Sequence, residues 1–524
     1  MASGASSLYR NFVNVGVLTL GSRILGFVRD ALVAAVLGTG PAADAYLAAF
    51  RFPNLFRRLF AEGAFNTAFI PLFAKSLEQE GREAARLWAA RIMSWLLVVV
   101  TAVTILVEIF MPWVLAPFVP GFLDDPAKYE LTVLLTRICF PYLMCMSLMA
   151  AYAALLNGLG FFKAAAFAPI LLNIVMIAFM LPLVISANTD VQVAIWIAVG
   201  TIAGGVAQLV LVYVAVVRAG FVPKLQLPRW DGEVKRFWLL AVPAVIAGGI
   251  TQVNIFVGTI IASGADSAIA YLYYADRLYQ LPLGIIGIAV GTVLLPELSR
   301  HLKGGRDAEA DASQNSALLI SMLLSLPAAT ALIALATPIV SVLFERGAFT
   351  SADTVQTAQT LIWFSAGLPA YVLIRVLQPG FFAREDTKTP TVFAGISMVV
   401  NIGLSLALFT TFQHVGVAIA TSVAAWANAV LLAIWLGRRG HFQLPASDWR
   451  RHGLILLSAA LMAGILWGLA IPLAPWLTSN APLPVQVAAL GGLVAVGIVA
   501  YFALVHVTGA QPMGQLLRRL RRTP

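Results

Sequence analysis

Apolar runs of roughly twenty residues recur along the chain from Val13 to Val507, separated by short stretches that hold Pro, Gly and charge. As a helix, a run of that length crosses a hydrocarbon core about 30 Å thick. The alternating ten-residue segments of a membrane barrel are missing, and lipid leaves the backbone of a spanning segment only the helix as an alternative. The pattern therefore predicts an all-α membrane protein of about fourteen transmembrane helices. Spans are expected near 12–37, 44–74, 90–118, 130–157, 164–185, 190–217, 237–263 and 267–298, then 315–344, 353–381, 390–410, 414–436, 452–472 and 485–508.

Composition supports this reading. Of 524 residues, 60% are hydrophobic and 11% charged, against about 25% charged in a soluble domain. A net charge of +10 would suggest nucleic acid in a soluble protein, but here the cations sit in short loops, where they report topology. Basic loops carry Lys75, Arg82 and Arg86; Lys163; Arg218, Lys224, Arg229, Lys235 and Arg236; Arg300, Lys303 and Arg306; Arg384 and Lys388; and Arg438, Arg439, Arg450 and Arg451. The loops between them, 38–43, 186–192, 263–266, 411–415 and 473–483, contain no Lys or Arg. Both termini are expected in the cytoplasm. Arg23, Arg29 and Asp30 interrupt the first apolar segment, which argues against a cleaved signal peptide. Cys139 and Cys145 lie six residues apart in one apolar span and are expected as unpaired, packed thiols.

The chain also repeats itself. An offset of 225 residues aligns Ala45-Tyr46-Leu47 with Ala270-Tyr271-Leu272 and Ala64–Pro71 with Ala289–Pro296. At offsets of 226 to 228, Pro112 meets Pro338, Pro141 meets Pro369, and Asn173-Ile174 meets Asn401-Ile402. Two six-helix halves follow, entering the membrane from the same side, with a site expected at their interface. The expected division is an N-lobe at 1–222, a C-lobe at 223–440, two further helices at 441–510 and a basic tail at 511–524.

The costly residues inside the spans are the informative ones. Span one holds Arg23, Arg29 and Asp30; span two holds Asp44, Arg51, Arg57, Arg58 and Glu62; span eight holds Asp276 and Arg277. Each arginine near a helix centre costs about 2.5–3.5 kcal/mol on insertion scales, so the cluster must be solvated, paired or ligand-bound. Spans two and eight are equivalent under the repeat and would face each other. Arg23 and Arg29 are about 120° apart on a straight helix; Gly26 between them eases a bend, and Pro53 is expected to break or kink span two. The planar donor fork of arginine suits phosphate oxygens, which points to a phosphate- or pyrophosphate-bearing substrate. Internal pairing, such as Arg29 with Asp30 or Asp44 and Arg58 with Glu62, is the alternative. Arg137, Arg375 and Glu108 either line a cavity or snorkel.

No Walker loop, HExxH or GxSxG occurs, and the five histidines, His301, His414, His441, His452 and His506, show no metal-ligand spacing. A transporter is favoured over an enzyme, and no cofactor or metal is expected.

Several stretches carry a family resemblance. Residues 22–30 (SRILGFVRD), 43–45 (ADA) and 52–65 (FPNLFRRLFAEGAF), then 273–278 (YYADRL), 344–349 (FERGAF) and 379–384 (PGFFAR), resemble the MurJ (MviN) lipid II flippases of the MOP exporter superfamily in order and spacing. The resemblance implies two pseudo-symmetric six-helix lobes around a central cationic cavity, with spans thirteen and fourteen forming a lipid-tail groove. It implies translocation of lipid II, the undecaprenyl-pyrophosphate-linked disaccharide-pentapeptide, across the bacterial inner membrane by alternating access. The family's important charges correspond to Arg23, Arg29, Asp44, Arg57 and Arg277 here. Membrane lipids and cell-wall synthesis or division proteins are the expected partners of a monomer. Some members look sodium-coupled through carboxylates in spans seven and eleven, but 237–263 holds no Asp or Glu and Asp386 stands alone. Membrane potential or a proton is the expected driver. Rival readings are a polysaccharide-repeat flippase, a multidrug or cation antiporter with an acidic or aromatic cavity, and a membrane scaffold whose charges are all paired.

Overall fold

The computed structural model describes residues 2–57, 65–185 and 188–510. Among these the chain is helical, without a strand. In order the helices are α1 (Ala2–Leu37), α2 (Pro41–Arg57), α3 (Phe65–Gln79), α4 (Arg82–Ile109), α5 (Met111–Leu115), α6 (Pro126–Cys139), α7 (Tyr142–Gly158), α8 (Lys163–Met180) and α9 (Asp190–Arg218). They continue as α10 (Gly232–Ala262), α11 (Ala268–Lys303), α12 (Asp307–Ala334), α13 (Ala336–Phe344), α14 (Ser351–Phe382), α15 (Lys388–Arg438), α16 (Ala446–Leu473) and α17 (Leu483–Val507). Among the described residues, nine helical segments are long and apolar enough to cross a membrane. Both α1 and α11, 36 residues each, stand outside the nine and carry charges in their interiors.

Helix ends fall where the sequence supplies caps. Thr189 and Gln192 form a reciprocal capping box at the start of α9, and Thr350 and Asp353 form one at the start of α14; each satisfies amide groups that a helix start leaves open. Two predicted spans are interrupted at equivalent places in the repeat. The first break is at Phe110 (φ −97°, ψ 17°), between α4 and α5, and the second at Leu335 (φ −109°, ψ 19°), between α12 and α13. Pro112 and Pro338 follow them, each within the first turn of the next helix, where a missing N–H costs nothing. Pro53 does not break α2, which runs through it to Arg57.

Spans eleven and twelve are joined more tightly than the expected loop at 411–415. Both belong to α15, and the chain turns at one residue, Gln413 (φ 47°, ψ −128°). The arms on either side are zipped by Ser397 Oγ donating to the Ala424 carbonyl at 2.7 Å and Thr421 Oγ1 donating to Asn401 Oδ1 at 3.4 Å. Gly416 makes the close approach possible, since a Cβ there would stand 2.7 Å from the Leu408 carbonyl oxygen.

The helices pack into two compact units, 1–270 and 271–524. This packing boundary differs from the expected lobe boundary at 222/223, because α10 packs on α3 and on the 116–124 segment of the first unit. Within that unit α1 packs on α8, α8 on α9, and α2 on α6. Aromatic rings join the layers: Phe52 lies 5.1 Å from Phe118 and 5.6 Å from Phe140, and Phe69 lies 5.2 Å from Trp88. In the second unit α14 packs on α12 and α15, and α16 packs on α12 and α17. The buried side chains of Ile455, Met462, Leu466, Leu493 and Val505 close that layer, and Tyr501 Oη donates to the Leu323 carbonyl at 2.8 Å. Cys139 and Cys145 are buried free thiols, as the spacing predicts.

Candidate functional site

In the first unit, α1 and α2 carry arginines into the packing between helices. Arg29 is buried at the junction of α1, α2 and α8. Its Nε and Nη2 donate to Asp30 Oδ1 at 3.0 and 2.7 Å, its Nη1 donates to Asn173 Oδ1 at 3.0 Å, and its guanidinium lies 5.9 Å from the Phe50 ring centroid. Asn173 in turn donates through Nδ2 to the Ser22 carbonyl at 3.0 Å. One amide thus fixes the arginine and fastens α8 to α1. Arg23, a turn and a half earlier on α1, is half-buried, and among the described residues no hydrogen bond or ion pair reaches it.

Further along α2, Arg57 Nε donates to Asn54 Oδ1 at 3.1 Å, Asn54 Nδ2 donates to the Phe50 carbonyl at 2.7 Å, and Arg51 Nη1 donates to Thr259 Oγ1 on α10 at 2.9 Å. These three side chains lie on the turns around Pro53. Arg58 and Glu62, whose pairing the spacing suggests, lie outside the described residues, as do the tail arginines Arg518, Arg519, Arg521 and Arg522.

Asp44 stands apart from the arginines. It is fully buried, Oδ2 accepting from Lys128 Nζ at 2.9 Å and Oδ1 from the Ala270 backbone N–H at 3.0 Å. Lys128 also approaches Asp266 at 3.7 Å and sits 4.2 Å from the Phe122 ring centroid. In this arrangement both carboxylate oxygens of Asp44 are engaged by protein.

In the second unit, Asp276 accepts a hydrogen bond from Gln280 one turn on, and the Arg277 guanidinium lies 4.6 Å from the Tyr273 ring centroid. Arg375 of α14 lies against Gly287 of α11, whose absent side chain leaves it room. Asp386 lies just before α15, where its carboxylate is engaged by the helix start and by an arginine. It accepts from Thr389 N and Oγ1 at 3.0 and 2.7 Å and from Arg439 Nη1 at 2.7 Å. Those Thr389 bonds, reinforced by Arg439, hold its carboxyl down at about 2. Among the described residues no group of His, Cys, Asp and Glu is arranged to hold a metal ion.

Lys128 and Asn173 carry chemistry that the spans alone do not mark out. Lys128 has one sequence signal: it is a lysine on the face of the membrane whose other loops are nearly free of cations. Asn173 has none beyond its place in the repeat.

The family model described as lipid II flippase MurJ matches residues 33–485. A protein of Rhizobium tropici named "Probable lipid II flippase MurJ" is 47% identical over 520 residues, covering 98% of this chain and 97% of its own. The lipid II flippase MurJ of Burkholderia cenocepacia is 34% identical over 519 residues, with 96% and 98% covered. Among solved structures, a lipid II flippase MurJ in an inward closed conformation superposes with a TM-score of 0.78 at 26% identity, covering 97% of this chain and all (100%) of that one. An inward-facing MATE-family multidrug transporter of the MOP superfamily matches at a TM-score of 0.66 and 15% identity, covering 80% and 94%, a likeness of fold alone. A family match over most of the chain, close relatives along nearly all of it and the same helical architecture agree: this multi-pass membrane protein belongs to the lipid II flippase MurJ family.

Proposed function

We propose that the protein is a lipid II flippase, carrying the undecaprenyl-pyrophosphate-linked peptidoglycan precursor from the cytoplasmic to the periplasmic leaflet of the bacterial inner membrane by alternating access. The observation that carries the reading is Arg23, a half-buried arginine inside a spanning helix with no counter-charge among the described residues. An unpaired cation at that depth is costly unless water or an anion reaches it. The diphosphate of a lipid carrier offers an anion of fixed geometry with oxygens for a guanidinium fork. Arg29, held in place by Asp30 and Asn173, Arg57, held by Asn54, and Arg277 on α11 are the further cations assigned to the pyrophosphate. The polyprenyl tail stays in lipid or along α16 and α17. The alternation of basic and cation-free loops supports cytoplasmic termini. Transport runs without a nucleotide site in this chain, on membrane potential or a monovalent cation.

The test is depletion of the protein in its host, with rescue by wild type or by Arg23→Ala, Arg29→Ala, Arg57→Ala and Arg277→Ala variants of verified membrane expression. Lipid II should accumulate in the cytoplasmic leaflet on depletion, wild type should clear it, and the variants should not. Unchanged translocation on depletion, in a host without a second flippase, would overturn the assignment.

A further inference from the structure

His414 follows the turn that joins the two arms of α15, and its surroundings are unusual. It is 4% exposed, and neither Nδ1 nor Nε2 has a hydrogen-bond partner. A neutral imidazole carries one N–H donor and one acceptor, so this burial leaves both roles open, and each unsatisfied group costs stability. Groups left in that condition in a native core call for an explanation.

The neighbourhood supplies one. The ring lies tilted against Tyr271 of α11 with centroids 4.8 Å apart, and Tyr271 Oη donates to Asp353 Oδ1 at 3.1 Å. Asp353 belongs to the first turn of α14, and the Gln356 carbonyl on the same helix faces the imidazole without closing a hydrogen bond. The other carboxylate at this end of α14 is Glu345, which accepts from Thr354 Oγ1 at 2.8 Å. The group in ring contact with His414 is thus the Tyr271 phenol, which links it to the Asp353 carboxylate. A protonated ring would gain a second donor, a carbonyl to receive it and a negative charge one residue removed. His414 also follows Gln413, the single non-helical residue on which the two arms of α15 turn (φ 47°). A left-handed φ at a side chain of that size is strained, and such strain gathers at segments with more than one arrangement.

We propose that His414 is a proton-binding site of the transport cycle. A proton from periplasmic water bonds to the free ring nitrogen, and the imidazolium turns toward the Gln356 carbonyl and the Tyr271–Asp353 pair. The two arms of α15 shift about Gln413 as it does so. Loss of the proton to the same water returns the neutral ring to the packed arrangement. The inference rests on the transport reading above and on its topology, which puts this turn on the periplasmic side, and it names a proton as the coupling ligand.

The first experiment needs no substrate. Hydrogen–deuterium exchange at the imidazole C2 position, followed by mass spectrometry on the full-length protein in nanodiscs, reads the protonation of each histidine against pH. Exchange at His414 should titrate within the range from about pH 3 to 8, and Tyr271→Phe, which keeps the ring but cuts the link to Asp353, should move the midpoint to lower pH. Flat exchange at His414 across that range, or a midpoint untouched by Tyr271→Phe, would overturn the proposal. The second experiment measures lipid II translocation in cells buffered externally over the same range. Wild type should vary several-fold, while His414→Gln and His414→Phe, each checked for expression, should give a flat profile. A pH profile unchanged in both variants overturns the proton site and leaves the flippase reading intact. A titrating His414 in a protein that moves no lipid II would do the reverse.

Discussion

Lys128 Nζ and Asp44 Oδ2 stand 2.9 Å apart with side chains 3% and 0% exposed, in the first turns of α6 and α2. The other oxygen of the same carboxylate takes the Ala270 N–H, the third residue of α11. Three helix starts thus meet on one aspartate. A carboxylate suits the positive end of a helix, whereas an ammonium does not, so Lys128 is held in the first turn of α6 by Asp44 against the local field of its own helix.

Separate substitutions can divide the ion pair from the helix cap. Lys128→Met leaves Asp44 buried without its cation, and breaking such a pair from one side costs about 3–5 kcal/mol. The thermal transition of the purified protein should fall sharply. Asp44→Asn combined with Lys128→Met removes both charges while keeping an oxygen for the Ala270 N–H, and should regain most of the loss. Asp44→Ala with Lys128→Met should not. Equal melting curves for the two double variants would show that the cap carries no stability.

Asn173 makes a second prediction. Its Oδ1 receives Arg29 and its Nδ2 serves the Ser22 carbonyl. Replacement by Ala strands one arginine N–H and one backbone oxygen, for about 1–3 kcal/mol each. Asn173→Asp keeps the acceptor but adds charge beside Arg29. Both variants should insert normally, and Asn173→Asp should lose more translocation than stability because it neutralises the arginine. An Asp variant that flips lipid II at the wild-type rate would separate Arg29 from substrate handling.

What can be read from the sequence follows the range of the forces involved. The helical class comes from hydropathy, a local property, whereas the breaks at Phe110 and Leu335 interrupt spans expected to be continuous, with Pro112 and Pro338 marking them only in retrospect. The Arg29–Asp30 pair joins neighbours and is visible as an alternative. Asn173 meets Arg29 across 144 residues and Lys128 meets Asp44 across 84, contacts that only packing reveals. The loop expected at 411–415 brackets the turn at Gln413 but is longer than the turn itself. No Gly or Pro occupies the break, and the residue that permits it, Gly416, lies three positions later.

Gly416 gives a third prediction through contrast with Gly464. A Cβ at Gly416 would meet the Leu408 carbonyl oxygen at 2.7 Å and its carbon at 2.8 Å, both main-chain atoms that cannot turn aside. Gly416→Ala should force the arms of α15 apart, at about 1–3 kcal/mol. Gly464 in α16 has open space instead, with nothing within 4 Å of the point where a Cβ would stand, and Gly464→Ala should be neutral or stabilise the helix by up to about 1 kcal/mol. Fluorescence-detected melting of the two variants in one detergent tests the pair; equal behaviour would refute the close approach at Gly416.

Asp386 links loop stability to pH. Its carboxyl is held at about 2 by the Thr389 bonds and Arg439, below an ordinary aspartate near 3.9. A group whose pKa is depressed by folding stabilises the fold above its unfolded value and loses that contribution as pH falls through the folded one. The 382–388 connection should therefore be firm at neutral pH and loosen between about pH 4 and 2. Asp386→Asn removes the charge and should lower protection of the start of α15 at pH 7, with wild type and variant converging as the pH approaches the folded value. Amide exchange at Thr389 reads this directly. Protection unaffected by the substitution at pH 7 would mean that the charge on Asp386 does not hold the helix start. A difference that persists undiminished in acid would assign the effect to hydrogen-bond geometry instead.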